Sequence, residues 1–205
     1  MAHPPSDDEG FARRWAPLKQ RARFTAAKIS LVGLALMLGL RWETGTDWVN
    51  YRDLFDTLEM NTRALLAVYS FDVGYVFLNA FVRLFSGSYT VFLLVNSALA
   101  MGLIYVFLRR SSPFPNTSIL VFYASYFVAH YMGSNRRVIA IGFLLLLFAH
   151  VGRIRPSRIA LLQGLGIAFH RSSIVGLLSL LLPSQHLTRK QVFVLLGVCL
   201  GHQAI

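Results

Sequence analysis

The stretch YTVFLLVNSALAMGLIYVFL, residues 89–108, decides the fold class of this chain. It contains no charged side chain, and a membrane-spanning helix needs about 20 consecutive apolar residues. Arg109 and Arg110 follow it directly, as basic residues do where a span ends at the cytoplasmic side. The stretch therefore predicts a transmembrane helix.

The rest of the chain has the composition of an integral membrane protein. Hydrophobic residues make up 55% of its 205 residues and charged residues only 14%, whereas soluble domains carry about 25% charged residues. The net charge of +11 would suit a nucleic-acid binder, but most cations lie in the N-terminal tail or beside apolar segments, where orientation in the membrane explains them. We expect the lipid bilayer as a partner and no nucleic acid.

Further apolar segments cover residues 24–40, 72–85, 118–133, 138–150, 159–183 and 191–205. We predict an all-α, polytopic transmembrane helical bundle with about 5–7 membrane segments, one or two of them re-entrant. Residues 72–85 are short for a span, and residues 159–183 form either one span or two short helices that meet at a polar turn. Residues 1–23 are expected to be a disordered, basic cytoplasmic tail. Residues 24–205 are expected to be a membrane domain that is incomplete at its C-terminal end, because the chain ends inside an apolar run.

The distribution of basic residues predicts which polar residues lie on the same side of the membrane. With the tail in the cytoplasm, residues 72–85 not crossing and residues 159–183 forming a hairpin with His170 at its tip, every basic cluster becomes cytoplasmic. Asp47, Asp72, Arg136 and His170 then all lie at the outer face. If residues 72–85 do cross, this convergence fails.

Two carboxylates lie at the beginnings of predicted helices. Asp47 either caps a helix that begins near Trp48 or offers a carboxylate beside the aromatic faces of Trp42, Trp48 and Tyr51. Asp72 is either a helix-start acid favoured by the helix dipole or a second candidate general base.

Two later polar points carry cations. Arg136 and Arg137 open the segment 138–150, and they are either an orientation signal or arginine forks for a diphosphate. His170 and Arg171 interrupt an apolar segment, where a histidine is either a hydrogen-bonded structural group or a proton-transfer group. The single Cys199 and the histidine spacing give no metal-site pattern, so we expect no metal and no cofactor.

Taken in order, these points resemble the EpsG-like family of exopolysaccharide polymerases, which are related in function to Wzy polymerases. The matching motifs are Gly45-Thr46-Asp47 with Tyr51, Asp72-Val73-Gly74-Tyr75, Arg136-Arg137-Val138-Ile139-Ala140 and Phe169-His170-Arg171-Ser172. The family usually has Glu at the position of Asp72 and commonly Gln at that of Arg137. The resemblance covers about residues 40–183.

The resemblance implies a multi-pass glycosyltransferase-type polymerase of the bacterial cytoplasmic (inner) membrane. It would join repeat units carried on a polyprenyl-diphosphate-linked oligosaccharide, together with other membrane proteins of polysaccharide assembly. The expected catalytic residues are Asp47, Asp72 and His170, and the expected substrate-binding residues are Arg136, Arg137, Arg171, Tyr51, Trp48 and Tyr75. A non-catalytic subunit, or a lipid-linked glycan carrier or transporter of an export system, is the alternative.

Overall fold

A computed structural model describes residues 24–58, 71–150 and 155–180, and within these ranges it contains helices and turns but no strand. The helices are α1 (Phe24–Gly39), α2 (Trp48–Thr57), α3 (Val73–Arg83), α4 (Tyr89–Ser111), α5 (Pro115–Phe122), a π-helix (Tyr123–Tyr131), α6 (Asn135–His150), α7 (Pro156–Phe169) and a 3₁₀ helix (Arg171–Leu180). The all-α prediction is confirmed for these residues. The predicted tail 1–23 and the segment 191–205 lie outside the described residues.

The decisive stretch of the sequence forms α4. This helix has 23 residues, which is about 35 Å at 1.5 Å per residue and exceeds the hydrocarbon core of about 30 Å. Among the described residues it is the one helix long and apolar enough to cross a membrane, and α1 and α3 are shorter apolar helices. The predicted number of membrane segments stays a prediction.

Helices α4 and α6 run parallel, side by side. At one end the Asn96 side chain of α4 donates a hydrogen bond to the backbone oxygen of Asn135, the first residue of α6, over 3.2 Å. At the other end Arg110 contacts His150. We call the end that holds Asn135 the upper end of the bundle. The basic pair at residues 109–110 therefore lies at the lower end.

Helix α3 begins and ends near the upper end. Asp72 precedes it, and Arg83, its last residue, donates a hydrogen bond to the backbone oxygen of Phe55. The Phe55 ring packs against Tyr89 and Phe92 in the first turn of α4. With 11 residues α3 is about 16 Å long, which is about half of a span. This length is consistent with the predicted re-entrant or interfacial helix, whose placement in the membrane stays a prediction.

The segment predicted at 159–183 has the second of its two expected arrangements. Helix α7 ends at Phe169, and His170 has an extended backbone with φ −161° and ψ 120°. The 3₁₀ helix then folds back along α7. The Gln163 side chain of α7 donates a hydrogen bond to the backbone oxygen of Ser173 over 2.6 Å. His170 therefore lies at the tip of a hairpin.

Candidate functional site

A buried carboxylate gathers three basic residues at the upper end of the bundle. The Asp72 side chain is 4% exposed, and its Oδ2 lies 2.9 Å from Arg136 Nη1 and 3.5 Å from His170 Nδ1. Its Oδ1 accepts the backbone N–H of Arg171 over 3.3 Å and lies 3.5 Å from Arg171 Nε. We call Asp72, Arg136, His170 and Arg171 the Asp72 cluster. The structure thus brings four of the predicted site residues into direct contact.

Asp72 occupies the N-cap position of α3, but its side chain makes no capping hydrogen bond. Both of its oxygens face cations on other helices instead, so dipole stabilisation alone does not describe its role. Two arginines share this one carboxylate, and the Arg171 side chain is 75% exposed. The cluster therefore carries surplus positive charge that an anion can use.

The surroundings of His170 favour its neutral imidazole. Burial lowers the pKa of its imidazole, and Arg136 and Arg137 lower it further, whereas Asp72 raises it without reversing the shift. A neutral ring that directs Nδ1–H towards Asp72 leaves Nε2 as a proton acceptor.

Arg136 also forms one wall of a polar cavity. Its guanidinium carbon lies 5.7 Å from the ring centre of Tyr51 and 5.3 Å from that of Phe71, within the range of cation–π attraction. The cavity has a volume of about 550 Å³ and is lined by Arg136, Phe71 and residues of α2. A volume of this size suits a small-molecule ligand.

Asp47 lies at the same cavity as Arg136. It precedes α2 at the N-cap position, as the sequence predicts, but its side chain makes no capping hydrogen bond. Its Oδ2 accepts the Tyr51 hydroxyl over 3.4 Å, and the residue is exposed. Asp47 is therefore the more accessible of the two predicted carboxylates.

Behind the cluster, Arg41 organises a buried polar network. It is 7% exposed and donates to the backbone oxygens of Tyr131 and Met132 and to Asn135 Oδ1. Burial lowers the pKa of its guanidinium, although three tyrosines raise it in part. Since Asn135 directly precedes Arg136, Arg41 fixes the turn that presents Arg136 to Asp72.

The Asn135 side chain extends this network. Its Nδ2 donates to the hydroxyls of Tyr75 and Tyr89 over 3.3 and 3.1 Å. Sequence reasoning gave Arg41 and Asn135 no role. The available signal was that Arg41 is the first charge after an apolar helix and that Asn135 adjoins the arginine pair.

The remaining predicted residues occupy different surroundings. Trp48 is 5% exposed and packs edge-on against Tyr89, 5.0 Å between ring centres, and Tyr75 is fully buried. Trp42 is 53% exposed and so offers a freer aromatic face than Trp48. Arg137 is exposed, and the described part of the chain gives it no ion pair. The roles assigned to these residues stay predictions.

The apolar helices, with α4 long enough to cross a bilayer, are typical of helical membrane proteins. The sequence model of the EpsG family matches residues 26–205, and the chain belongs to this family. Membership confirms the resemblance noted in the sequence and indicates a membrane protein of exopolysaccharide biosynthesis. No curated protein and no solved structure matches the chain.

Proposed function

We propose that this protein polymerises exopolysaccharide or O-antigen-like repeat units carried on polyprenyl diphosphate, at the outer face of the cytoplasmic membrane. The observation that carries the proposal is that Arg136 pairs with Asp72 in the Asp72 cluster and also lines the cavity that Asp47 lines, while Arg171 contacts the other oxygen of Asp72. This arrangement supports a site with cations for a leaving diphosphate and a carboxylate for an attacking hydroxyl.

The arginines stabilise the leaving group. When the anomeric carbon–oxygen bond of the donor breaks, the electron pair and the negative charge pass to the polyprenyl diphosphate. Guanidinium forks match phosphate geometry and stay charged. We assign this task to Arg136 and Arg171, with exposed Arg137 close in sequence as a further cation.

Asp47 serves as the base. The acceptor sugar hydroxyl gives its proton to Asp47 while its oxygen forms the new bond to the donor's anomeric carbon. Asp72 is less suited to this task because both of its oxygens already face cations. Asp72 instead positions Arg136 and Arg171, and His170 Nε2 is the alternative proton acceptor.

The experiment compares polymer length in a deletion strain complemented with variants of equal membrane abundance. We expect Arg136→Ala and Asp47→Ala to leave single repeat units on lipid, with polymerisation reduced about 10²–10³-fold, as for the loss of one transition-state electrostatic contact. Arg52→Ala and Asp56→Asn are matched controls, because this exposed pair on α2 lies outside the cavity. Full-length polymer from both site variants would refute the assignments. Binding of lipid-linked oligosaccharide without lengthening would favour a carrier.

A further inference from the structure

One face of α2 lines the cavity that Arg136 also lines. The lining residues from this region are Asp47, Asn50, Tyr51, Asp53, Leu54 and Thr57. Most of them recur every three or four residues, which places them on a single helical face. This face is polar although α2 packs into an apolar bundle.

Two side chains on this face have no partner in the part of the chain that the structure describes. Asn50 and Asp53 are exposed, and among the described residues neither side chain makes a hydrogen bond or an ion pair. Asp56 differs, because its Oδ2 lies 3.4 Å from Arg52 Nε and it does not line the cavity. Asp56, which lies outside the cavity, is thus paired on α2, whereas Asp53 and Asn50 at the cavity have no partner among the described residues.

Such a wall suits a neutral polyhydroxylated ligand. A carboxylate accepts two hydrogen bonds from neighbouring hydroxyls, and an amide both donates and accepts. The ring of Phe71, which also lines this cavity and is only partly buried, adds apolar contact. A diphosphate, by contrast, is repelled by Asp47 and Asp53 and attracted by Arg136.

We propose that Asn50 and Asp53 form the acceptor subsite, where they hydrogen-bond the hydroxyls of the glycan that attacks the donor. This proposal rests on the proposed function and extends it. The cavity then distinguishes the reacting ends of its two substrates by charge. The donor diphosphate lies on the arginine side and the neutral acceptor sugar lies on the α2 side, next to Asp47.

The test separates the two sides with two probes. Full-length protein in lipid nanodiscs is titrated with the free repeat-unit oligosaccharide, released from its lipid by mild acid, and separately with inorganic pyrophosphate. We expect Asn50→Ala and Asp53→Ala each to weaken oligosaccharide binding at least about tenfold, the loss of one hydrogen bond to a polar or charged group. Pyrophosphate binding should persist in both variants. Arg136→Ala should show the opposite pattern, and Asp56→Ala should bind both probes normally.

The outcomes distinguish the two proposals. Unchanged oligosaccharide binding in both α2 variants, with pyrophosphate binding lost in Arg136→Ala, would overturn the acceptor subsite and leave the proposed function standing. Unchanged pyrophosphate binding in Arg136→Ala would overturn the diphosphate site on which the proposed function depends. Equal loss of oligosaccharide binding in Asp56→Ala would show a general disturbance of α2 and would also overturn the subsite.

Discussion

Asp72 Oδ2 and Arg136 Nη1 lie 2.9 Å apart although 64 residues separate them in the chain. The contact joins the start of α3 to the start of α6, and Arg171 reaches the same carboxylate from beyond α7. A carboxylate that is 4% exposed needs such partners, because an unpaired charge away from water is costly. The cluster is therefore both a structural link and the centre of the proposed site.

The Asp72–Arg136 pair should show energetic coupling. In a double-mutant cycle with Asp72→Asn and Arg136→Gln, we expect a coupling energy of about 1–3 kcal/mol, because the partners share one direct contact. Thermal unfolding of the detergent-solubilised variants measures it. Additive effects within about 0.5 kcal/mol would contradict a direct interaction.

Arg41 should be essential for stability. Arg41→Met removes the donor to the Met132 backbone oxygen and to Asn135 Oδ1 and leaves the Tyr131 oxygen only the Ser134 N–H at 3.4 Å. Buried polar groups without partners cost about 1–3 kcal/mol each. We expect the melting temperature to fall by several degrees and polymerisation to fall with it. The control is Arg52→Met, which removes an exposed i,i+4 pair worth about 0.3–0.5 kcal/mol and an exposed cation–π contact with Trp42 worth about 0.5–1 kcal/mol. Equal effects of the two variants would contradict the proposed network.

Gly45 should not tolerate a side chain. Its φ is +95°, and a Cβ there would lie 2.6 Å from the Cα of Gly133. The loop that holds Gly45 and Asp47 therefore contacts the turn that precedes Arg136 through Gly133. Gly45→Ala should destabilise the protein by about 1–2 kcal/mol or more through backbone strain alone.

Gly102 supplies the comparison for Gly45. A Cβ at Gly102 in α4 meets nothing within 4 Å, so Gly102→Ala should stabilise the helix by about 0.5–1 kcal/mol. Opposite signs of the two unfolding shifts are expected. Equal tolerance of both substitutions would show that the loop contact is unimportant.

Stability should fall as the pH falls below about 6.5, the ordinary pKa of histidine. Burial lowers the pKa of His170 in the folded protein, so the unfolded chain binds more protons between that lowered value and 6.5. The contribution of neutral His170 to the free energy of unfolding is then complete above this window, and it is lost as the pH decreases through it. Melting temperatures between pH 5 and 8 measure the effect. His170→Gln should weaken this dependence. An unchanged pH profile in this variant would contradict His170 as the group responsible.

The face of the membrane can be tested by cysteine labelling in a Cys199→Ser background. Thr46→Cys, Ser134→Cys and Ser172→Cys place thiols beside Asp47, Arg136 and His170. We expect a membrane-impermeant thiol reagent to label all three in intact spheroplasts. Ser111→Cys at the lower end should react only after permeabilisation, and protection of any one upper position would contradict a shared outer face.

Much of the helical organisation was predictable because hydropathy is a local property. The segments 24–40, 72–85 and 89–108 correspond to α1, α3 and α4, with boundaries that differ by a few residues. The motif residues Asp72, Arg136 and His170 were also visible, because polar groups stand out in an apolar chain. Their mutual contacts were not, since nothing local relates positions so far apart.

Burial explains the residues whose surroundings the sequence did not reveal. Trp48 and Trp42 have similar local contexts, but only Trp48 packs against Tyr89 and becomes 5% exposed. Arg41 carries a charge next to a predicted span, and the sequence assigns it no role. Only its hydrogen bonds to Tyr131 and Asn135 show that its buried side chain stabilises the turn before Arg136.

The sequence by itself determined that this is a helical chain of membrane-protein composition and that it carries the EpsG-family motifs, because hydrophobicity, charge bias and motif order are properties of the linear chain. Only the tertiary structure decided that Asp72 pairs with Arg136, that His170 lies at a hairpin tip and that α2 lines a cavity with Arg136. These facts depend on how helices distant in sequence pack together. That packing sets which charges are paired, and therefore which remain free for a ligand.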